Sequence, residues 1–456
     1  MLFSIRMKQS LLTTPIPALI RSIAVPASIG FFFNTMYNVV DTYFGGLQSS
    51  EALAALSLSF PVFFLIIAVG SGIGTGITAL MAHAFGEKDN AKALLYGVQG
   101  LSYGVFTSII LTFVGLAISP SLFRLLGATG EYLRLALSFM NVIFYGTAGF
   151  IFVNLLNAIL SAEGDTRSFR NFLILGFFLN FVFNSWFMFG GLGVPALGLA
   201  GIALGTNVVQ IIGVLYMWYK VRKTHLFSGG VPLRDFVPNW KIYKEISTQG
   251  FPASLSMMTI ALGIFILTYY ISSFGHLAVA AYGIATRIEQ ITLLPLIGLN
   301  IAVLTLIGQN NGAREFGRVK ETYQKALLYG TYISLFATLF LLVTAKPLMH
   351  LFTDDPSIIT IGVSYLHVAA LIASAYMILF MSDAAFRGLK RPFFFLGLGV
   401  CRQIILPAIL FPFLISYFHT GLVGVWLGLF AIVWSAALVA LWYVRRTMHQ
   451  RLEGTH

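Results

Sequence analysis

Apolar residues fall in long runs along the chain, separated by short polar segments. Each run holds about 20 or more mostly apolar residues, the length that one helix needs to cross a bilayer. Twelve such runs lie at residues 15–46, 53–80, 95–118, 135–160, 171–190, 196–219, 246–274, 278–307, 324–344, 358–386, 395–417 and 421–444. The strict alternation typical of membrane β-barrels is absent. The pattern therefore predicts an all-α membrane protein with twelve transmembrane helices.

The two halves of the chain repeat one another at a distance of 226 residues. Pro26-Ala27-Ser28 recurs as Pro252-Ala253-Ser254, and Gly86 matches Gly312 in the same register. Each copy holds six spans, an even number, so both copies enter the membrane in one orientation and the repeat is parallel. A doubled bundle of this kind is typical of transporters, in which two similar halves move about an enclosed site.

The repeat predicts two lobes. We expect an N-terminal six-helix lobe at residues 1–222 and a C-terminal six-helix lobe at residues 245–456, with a central cleft between them. The polar segment 223–244 is the expected linker between the lobes.

Composition and charge agree with this class. Hydrophobic residues make up 58% of the chain and charged residues only 10%, far more apolar surface than a water-soluble fold needs. The net charge is +12, and most basic residues fall on one predicted side of the membrane. By the positive-inside rule that side is cytoplasmic and holds both termini, in the inner (plasma) membrane. The charge thus reflects topology, and we expect no nucleic-acid partner.

Motifs for enzymatic or ATP-driven chemistry are absent from the sequence. No Gly-x-x-x-x-Gly-Lys-Ser/Thr pattern occurs, and no acidic cluster or Ser/His pair indicates catalysis. Cys401 is the only cysteine, which excludes an internal disulfide and a cysteine-rich metal site. We therefore expect no enzyme activity, no cofactor and no bound metal, and we expect an ion gradient as the energy source.

Several motifs resemble those of the multidrug and toxic compound extrusion (MATE) family of bacterial type. They are Asn38-Val39-Val40-Asp41-Thr42-Tyr43-Phe44-Gly45-Gly46 on the first span, Gly86-Glu87-Lys88-Asp89 after the second, Gly164-Asp165-Thr166-Arg167 after the fourth and Phe386-Arg387-Gly388-Leu389 after the tenth. Their order and spacing extend over nearly the whole chain. The resemblance implies a cation-coupled antiporter that exports amphipathic, often cationic, organic compounds or drugs by alternating access. We expect it to work as a monomer in the lipid bilayer on small-molecule substrates.

The resemblance also implies a cation or proton site inside the N-terminal lobe. Carried over position by position, its residues are Asp41 on the first span, Asn180 and Asn184 on the fifth, and Thr206 on the sixth. Many relatives have aspartate where this chain has Asn184. Because one carboxylate is missing, we expect coupling to a proton gradient, with sodium as the alternative ion.

Asp41 stands out apart from the resemblance, because an ionised carboxylate inside a bilayer costs at least ~2.5–3.5 kcal/mol on insertion scales. Such a group usually faces a wet cavity or a partner, and removal from water favours its neutral form. Four further polar residues are expected to line the same region: Asn34, Tyr37, Asn38 and Asn157. We predict that Asp41 exchanges the coupling proton and that Pro26 is the hinge of the first helix. An ordinary hydrogen-bonded acid near the helix end is the alternative.

The C-terminal half also holds charged residues within its predicted spans. Arg287 and Glu289 lie two positions apart on the eighth span, so they point in different directions and do not pair with each other. Arg402 on the eleventh span is the partner that the sequence offers to Glu289. These three residues form either a buried structural ion pair or a second substrate or proton site.

A flippase of lipid-linked substrates is the alternative function, because it shares the doubled helical architecture. Its cleft would need several cations to meet a pyrophosphate, and only Arg287 and Arg402 qualify. A passive channel is disfavoured because no filter-like loop is visible. The sequence therefore favours export of organic compounds and leaves the individual substrate open.

Overall fold

A computed structural model describes residues 11–417 and 419–453. Its helices are α1 Ile16–Gln48, α2 Ser50–Gly86, α3 Asn90–Leu125, α4 Gly130–Tyr145, α5 Thr147–Ala162, α6 Arg167–Phe189, α7 Leu199–Arg222, α8 Trp240–Ser272, α9 His276–Gly312, α10 Phe316–His350, α11 Pro356–Gly388, α12 Phe393–Val400, α13 Leu406–Pro412 and α14 Gly421–Glu453. A 3-10 turn forms at Leu233–Phe236, and π-helical turns form at Cys401–Ile405 and Phe413–Tyr417. Within the described ranges, β structure is limited to one bridge between Gly191 and Val194.

The membrane spans agree with the apolar runs of the sequence. Eleven stretches of the described chain form helices that are long and apolar enough to cross a bilayer, and the bent pair α4–α5 makes a twelfth. The α12–α13 stretch, Phe393–Ile415, counts as one span because the π-helical turn at Cys401–Ile405 joins the two helices without a break. The predicted all-α membrane fold is therefore confirmed.

The repeat of the sequence is also a repeat of the backbone. Lys88 and Arg314, which lie 226 residues apart, both adopt a left-handed conformation with φ of 59°. Gly164 and Lys390, at the same spacing, have φ of 86° and 60°. Left-handed backbone is uncommon in residues other than glycine. Its recurrence after α2 and α9, and again after α5 and α11, shows that equivalent loops of the two halves turn in the same way.

Contacts divide the described chain into two compact units. The first contains Ile29–Ser254 together with Leu11, and the second contains Leu12–Ser28 and the chain from Leu255 onward. The chain thus passes between units inside α1 and inside α8, in each case directly after the repeated Pro-Ala-Ser sequence. The lobe boundaries at residues 222 and 245 stay a prediction. They do not account for the first part of α1, which belongs to the second unit, or for the first part of α8, which belongs to the first unit.

Small residues let α2 pack closely on two sides within the first unit. A Cβ atom on Gly74 would lie 3.2 Å from the carbonyl oxygen of Asn154 on α5. A Cβ atom on Gly76 would lie 2.8 Å from the carbonyl oxygen of Ile246 on α8. Membrane helices use such positions to bring backbones together. The glycine-rich run of α2 is therefore a packing surface.

The fourth predicted span, 135–160, consists of two helices that meet at Gly146 with a bend of 49°. Polar side chains from other helices bind the carbonyl groups at the break. Asn207 Nδ2 donates to Val142 O at 2.5 Å, and Thr112 Oγ1 donates to Phe144 O at 3.0 Å. A bend inside a membrane is tolerated where neighbouring side chains satisfy the freed backbone groups.

Candidate functional site

Asp41 of α1 lies among polar side chains of α6 and α7 in the first unit. Its Oδ1 accepts hydrogen bonds from Asn180 Nδ2 at 3.0 Å and from Asn184 Nδ2 at 2.7 Å. Asn184 Nδ2 also lies 3.2 Å from Asn180 Oδ1, and Asn180 Nδ2 lies 3.4 Å from Thr206 Oγ1. The structure thus brings together all four residues that the resemblance implied. Their role in coupling stays a prediction.

Helix geometry explains how α6 and α7 present these groups. Asn180 and Asn184 are four residues apart, so both side chains project from one face of α6. Gly205, just before Thr206, lets α7 approach that face, because a Cβ atom there would lie 2.6 Å from Asn184 Oδ1. Both asparagine residues are 0% exposed, whereas Asp41 is half-buried. The two amides therefore depend on protein partners, and the carboxyl group is the member of the cluster nearest to the surface.

Tyr37 belongs to the same cluster. It precedes Asp41 by one helical turn, and its ring is buried beside Asp41, Asn180 and Thr206. Its hydroxyl group lies close to Thr206 and Asn180 but makes no hydrogen bond of normal geometry with any described residue. A buried hydroxyl without a partner is unusual and costs free energy. The site therefore contains a donor that is unused in this conformation and adjacent to the carboxyl group.

The other residues predicted to line this region are not hydrogen-bonded to the cluster. Asn34 and Asn38 are exposed, and Asn38 Nδ2 donates to the backbone oxygen of Asn34 at 2.9 Å. Asn157 is half-buried on α5 and accepts from Ser161 Oγ at 3.3 Å. In the described part of the chain, none of these three side chains hydrogen-bonds to Asp41. Of the four predicted lining residues, Tyr37 is the one that is buried and interacts with the carboxyl group.

Pro26 lies inside α1, which continues as one helix from Ile16 to Gln48. Proline cannot donate the backbone hydrogen bond that would reach the carbonyl group of Ser22. Next to it, Ser28 Oγ donates to the carbonyl oxygen of Ala24 at 2.9 Å. The proline also lies two residues before the point at which α1 passes between the units. This position suits a hinge, which stays a prediction.

Glu289 of α9 is a second buried carboxyl group, in the second unit. It is 7% exposed, and its Oε2 accepts from the hydroxyl group of Tyr365 at 2.6 Å. Its Oε1 has no hydrogen-bond partner among the described residues. The rings of Tyr282 and Trp426 each lie 5.1 Å from that of Tyr365. Aromatic side chains thus enclose the carboxyl group.

The suggested pairing of Glu289 with Arg402 is wrong. No ion pair joins these side chains within the described ranges, and Arg402 Cζ instead lies 5.6 Å from the centre of the Tyr376 ring. Arg402 belongs to a π-helical turn, which changes the direction of its side chain relative to a regular helix. Arg287 is exposed on α9. The sequence could identify Glu289 as unusual but not Tyr365 as its partner, because tyrosine carries no charge to signal the pairing.

We expect Glu289→Gln to fold as stably as the wild type, because the substitution keeps an oxygen for Tyr365 and breaks no ion pair. Glu289→Leu leaves the Tyr365 hydroxyl group without an acceptor and should cost about 1–3 kcal/mol. Thermal unfolding of the purified variants measures this difference. A large loss of stability in Glu289→Gln would show that the carboxyl group makes more than the hydrogen bond from Tyr365. Export measured on the stable variant then separates a proton or substrate role from a structural one.

Comparison with known proteins places the chain in a family. The MatE family model matches residues 26–186 and again 252–414. The two matches start 226 residues apart, at Pro26 and Pro252, so each half of the chain carries one copy.

Relatives match along nearly the full length. The chain is 26% identical over 446 residues to a probable multidrug resistance protein NorM of Thermotoga maritima, covering 94% of this chain and 92% of that protein. It is 27% identical over 406 residues to an FAD transporter of Shewanella oneidensis, covering 88% of each. A MOP superfamily transporter of Pyrococcus furiosus has 28% identity and a TM-score of 0.90, over 97% of this chain and 98% of that one. A MATE crystal structure in a bent conformation has 28% identity and a TM-score of 0.91, over 98% of both chains.

The matched regions cover more than half of the sequence and include the first span with Asp41 and the fifth span with Asn180 and Asn184. The chain therefore belongs to the MatE family of membrane transporters, which is not a family of enzymes.

Proposed function

We propose that this multidrug efflux transporter is a proton-coupled antiporter that exports amphipathic, often cationic, organic compounds by alternating access. Membership of the MatE family and the names of the NorM relatives support export of small organic molecules. The observation that carries the coupling proposal is the single half-buried carboxyl group of Asp41, held by two fully buried amides.

The hydrogen bonds at Asp41 leave one oxygen for the proton. Both amides donate to Oδ1, and the Thr206 hydroxyl group also lies close to the carboxyl group, but no hydrogen bond of normal geometry reaches Oδ2 from the described residues. Oδ2 can therefore gain or lose a proton without disturbing Asn180 or Asn184. In the ionised state the two amides stabilise the negative charge, whereas in the neutral state they continue to position the carboxyl group. The Tyr37 hydroxyl group lies beside the carboxyl group and is a further donor for the ionised form.

The same geometry is less suited to sodium. Sodium requires oxygen ligands, but the cluster presents the nitrogen atoms of Asn180 and Asn184 to the carboxyl group. Both amides would have to rotate before their oxygen atoms could join the Asp41 carboxylate around a cation. Asp41 is also the only carboxylate of the cluster, so a bound cation would have one negative ligand.

Separate ion gradients test the coupling. Wild-type protein in proteoliposomes should export an ethidium-type dye when a pH gradient is imposed at equal sodium concentration on both sides. Under a sodium gradient at equal pH, the rate of dye efflux should equal that of protein-free liposomes. Export driven by sodium alone would contradict proton coupling, and export driven by neither gradient would direct the next test to lipid-linked substrates.

We expect Asn184→Asp to make export respond to sodium. The substitution places a second carboxylate about 3 Å from Asp41, and two close carboxylates favour either a shared proton or a bound cation. Dye efflux of this variant is compared with the wild type under the same two gradients. A response to the pH gradient alone, as in the wild type, would show that the second carboxylate does not determine the ion.

We further propose that the protein works as a monomer in the plasma membrane with both termini in the cytoplasm. The orientation of the termini rests on the basic residues of the loops, such as Lys88, Lys92 and Arg167, which fall on one predicted side. Labelling of single-cysteine variants from outside intact cells tests it: cysteine at Lys88 should be protected and cysteine at Arg124 should react.

A further inference from the structure

The segment between α7 and α8, residues 223–239, is hydrogen-bonded to the N-terminal part of α3. Gln99 Nε2 donates to the carbonyl oxygens of Asp235 at 2.5 Å and Val237 at 2.8 Å, and its Oε1 accepts from the backbone nitrogen of Asn239 at 2.9 Å. Ser102 Oγ donates to the carbonyl oxygen of Phe236 at 2.7 Å. Gln99 is buried, so its three bonds are protected from water. The linker therefore has a defined position on α3.

The start of α8 is fixed to the same helix. Tyr96 donates to Glu245 at 2.5 Å, and Ser247 donates to Tyr103 at 3.0 Å. The Trp240 ring lies 6.5 Å from that of Phe106, which is exposed within the apolar run 95–118 of α3. Lipid-facing surface of α3 thus begins directly beside Trp240. Tryptophan is enriched at this boundary between hydrocarbon and water.

The outer face of the fastened segment is apolar. Leu233, Val237 and Trp240 are 86%, 64% and 71% exposed. The hydrogen bonds to Gln99 and Ser102 hold the backbone of the segment against α3, and these three side chains are left exposed. Exposed apolar side chains that continue a lipid-facing surface indicate contact with the membrane interface.

Basic residues surround this apolar face. Between residues 220 and 245 the chain has six of them against two acidic residues: Lys220, Arg222, Lys223, Arg234, Lys241 and Lys244. Arg234, Lys241 and Lys244 are exposed, and Lys244 follows Trp240 by one helical turn. Of the two acids, Glu245 accepts a hydrogen bond from the Tyr96 hydroxyl group, and Asp235 Oδ1 lies 3.7 Å from Arg234 Nε. The segment therefore carries an excess positive charge next to the membrane boundary.

We propose that this segment binds the headgroups of acidic phospholipids. Trp240 and Leu233 enter the interface, and the cations of Arg234, Lys241 and Lys244 meet the lipid phosphates. Charge and position both support this partner. Anionic headgroups lie at the membrane interface, where Trp240 is placed, and basic segments beside a membrane helix attract them. The partner is a lipid surface, and the inference does not depend on the transported compound or on the coupling ion.

Lipid titration of the full-length protein tests this surface. Native mass spectrometry compares bound dioleoylphosphatidylglycerol with dioleoylphosphatidylcholine for the wild type and for the triple variant Arg234→Gln, Lys241→Gln, Lys244→Gln. Each removed charge should weaken binding of the acidic lipid about fivefold, so the triple variant loses about 100-fold and binds the two lipids alike. A control with the same change in charge at three exposed sites, Arg124→Gln, Lys320→Gln and Lys346→Gln, should keep the preference.

Two results would overturn the proposal. A triple variant that still prefers the acidic lipid would show that these cations do not meet its headgroup. Soluble glycerol phosphate that displaces the acidic lipid at equal concentration would show that the segment recognises a free anion and not a lipid surface. Thermal unfolding of both triple variants verifies that they are folded before the titrations are compared.

Discussion

Asp41→Asn is expected to abolish export driven by a pH gradient while leaving the protein folded. The asparagine oxygen can accept the same hydrogen bonds from Asn180 and Asn184, so the cluster keeps its geometry. The free energy of unfolding should change by no more than about 1 kcal/mol. Asparagine cannot ionise, however, and among the described residues the cluster holds no second carboxylate to replace Asp41. The substitution therefore removes the proton exchange and retains the structure.

Dye efflux from proteoliposomes measures this loss. Asp41→Asn should export at the rate of protein-free liposomes under an imposed pH gradient, and its melting temperature should match the wild type. Asp354→Asn is the matched control, because the same chemical change is made at a fully exposed carboxylate that is not part of the Asp41 cluster. Proton-driven export retained in Asp41→Asn would assign the coupling to another group, with Glu289 as the next candidate.

Gly76→Ala is expected to destabilise the first unit. The added methyl group would lie 2.8 Å from the carbonyl oxygen of Ile246 and 2.9 Å from the backbone nitrogen of Gly250. Both atoms belong to the backbone of α8, so the clash is relieved only if α2 and α8 move apart. Overpacking of this kind costs about 1–3 kcal/mol. The cost opposes the usual gain of alanine over glycine in a helix, about 1 kcal/mol.

Gly46→Ala provides the control for this effect. Gly46 is also helical, but a Cβ atom there would meet nothing within 4 Å. Thermal unfolding in detergent should show a melting temperature several degrees below the wild type for Gly76→Ala and no decrease for Gly46→Ala. Equal melting temperatures for the two variants would contradict the close backbone packing of α2 against α8.

Much of the fold could be predicted from the sequence, because span length depends only on local composition. The limits of the helices could not. Helix α10 begins at Phe316, eight residues before its apolar run at 324, because polar residues outside the hydrocarbon core continue a helix once it has started. The repeat predicted equivalent halves. Lys88 and Arg314, which share a left-handed backbone, show that equivalent loops also have the same conformation.

The bend between α4 and α5 had no local signal. No proline lies in residues 135–160, and Gly146 alone does not require a break. The bend depends on Asn207, which is more than 60 residues away and binds the carbonyl group of Val142. A long-range hydrogen bond of this kind is invisible in the apolar pattern.

The candidate site shows the same division between local and distant information. The spacing of Asn180 and Asn184 placed both on one face of α6, but only the family resemblance connected them with Asp41, 139 and 143 residues earlier. The unpartnered hydroxyl group of Tyr37 and the bond from Tyr365 to Glu289 appeared only in the structure. Uncharged tyrosine residues in an aromatic-rich chain give no signal of their own.

Proton release on substrate binding tests the central claim most directly. Ethidium is added to detergent-solubilised protein in weak buffer, and a pH-sensitive dye records the protons that appear. The wild type should release protons when the substrate binds, whereas Asp41→Asn should bind the substrate and release none. An equal release from both proteins would contradict the assignment of the coupling proton to Asp41.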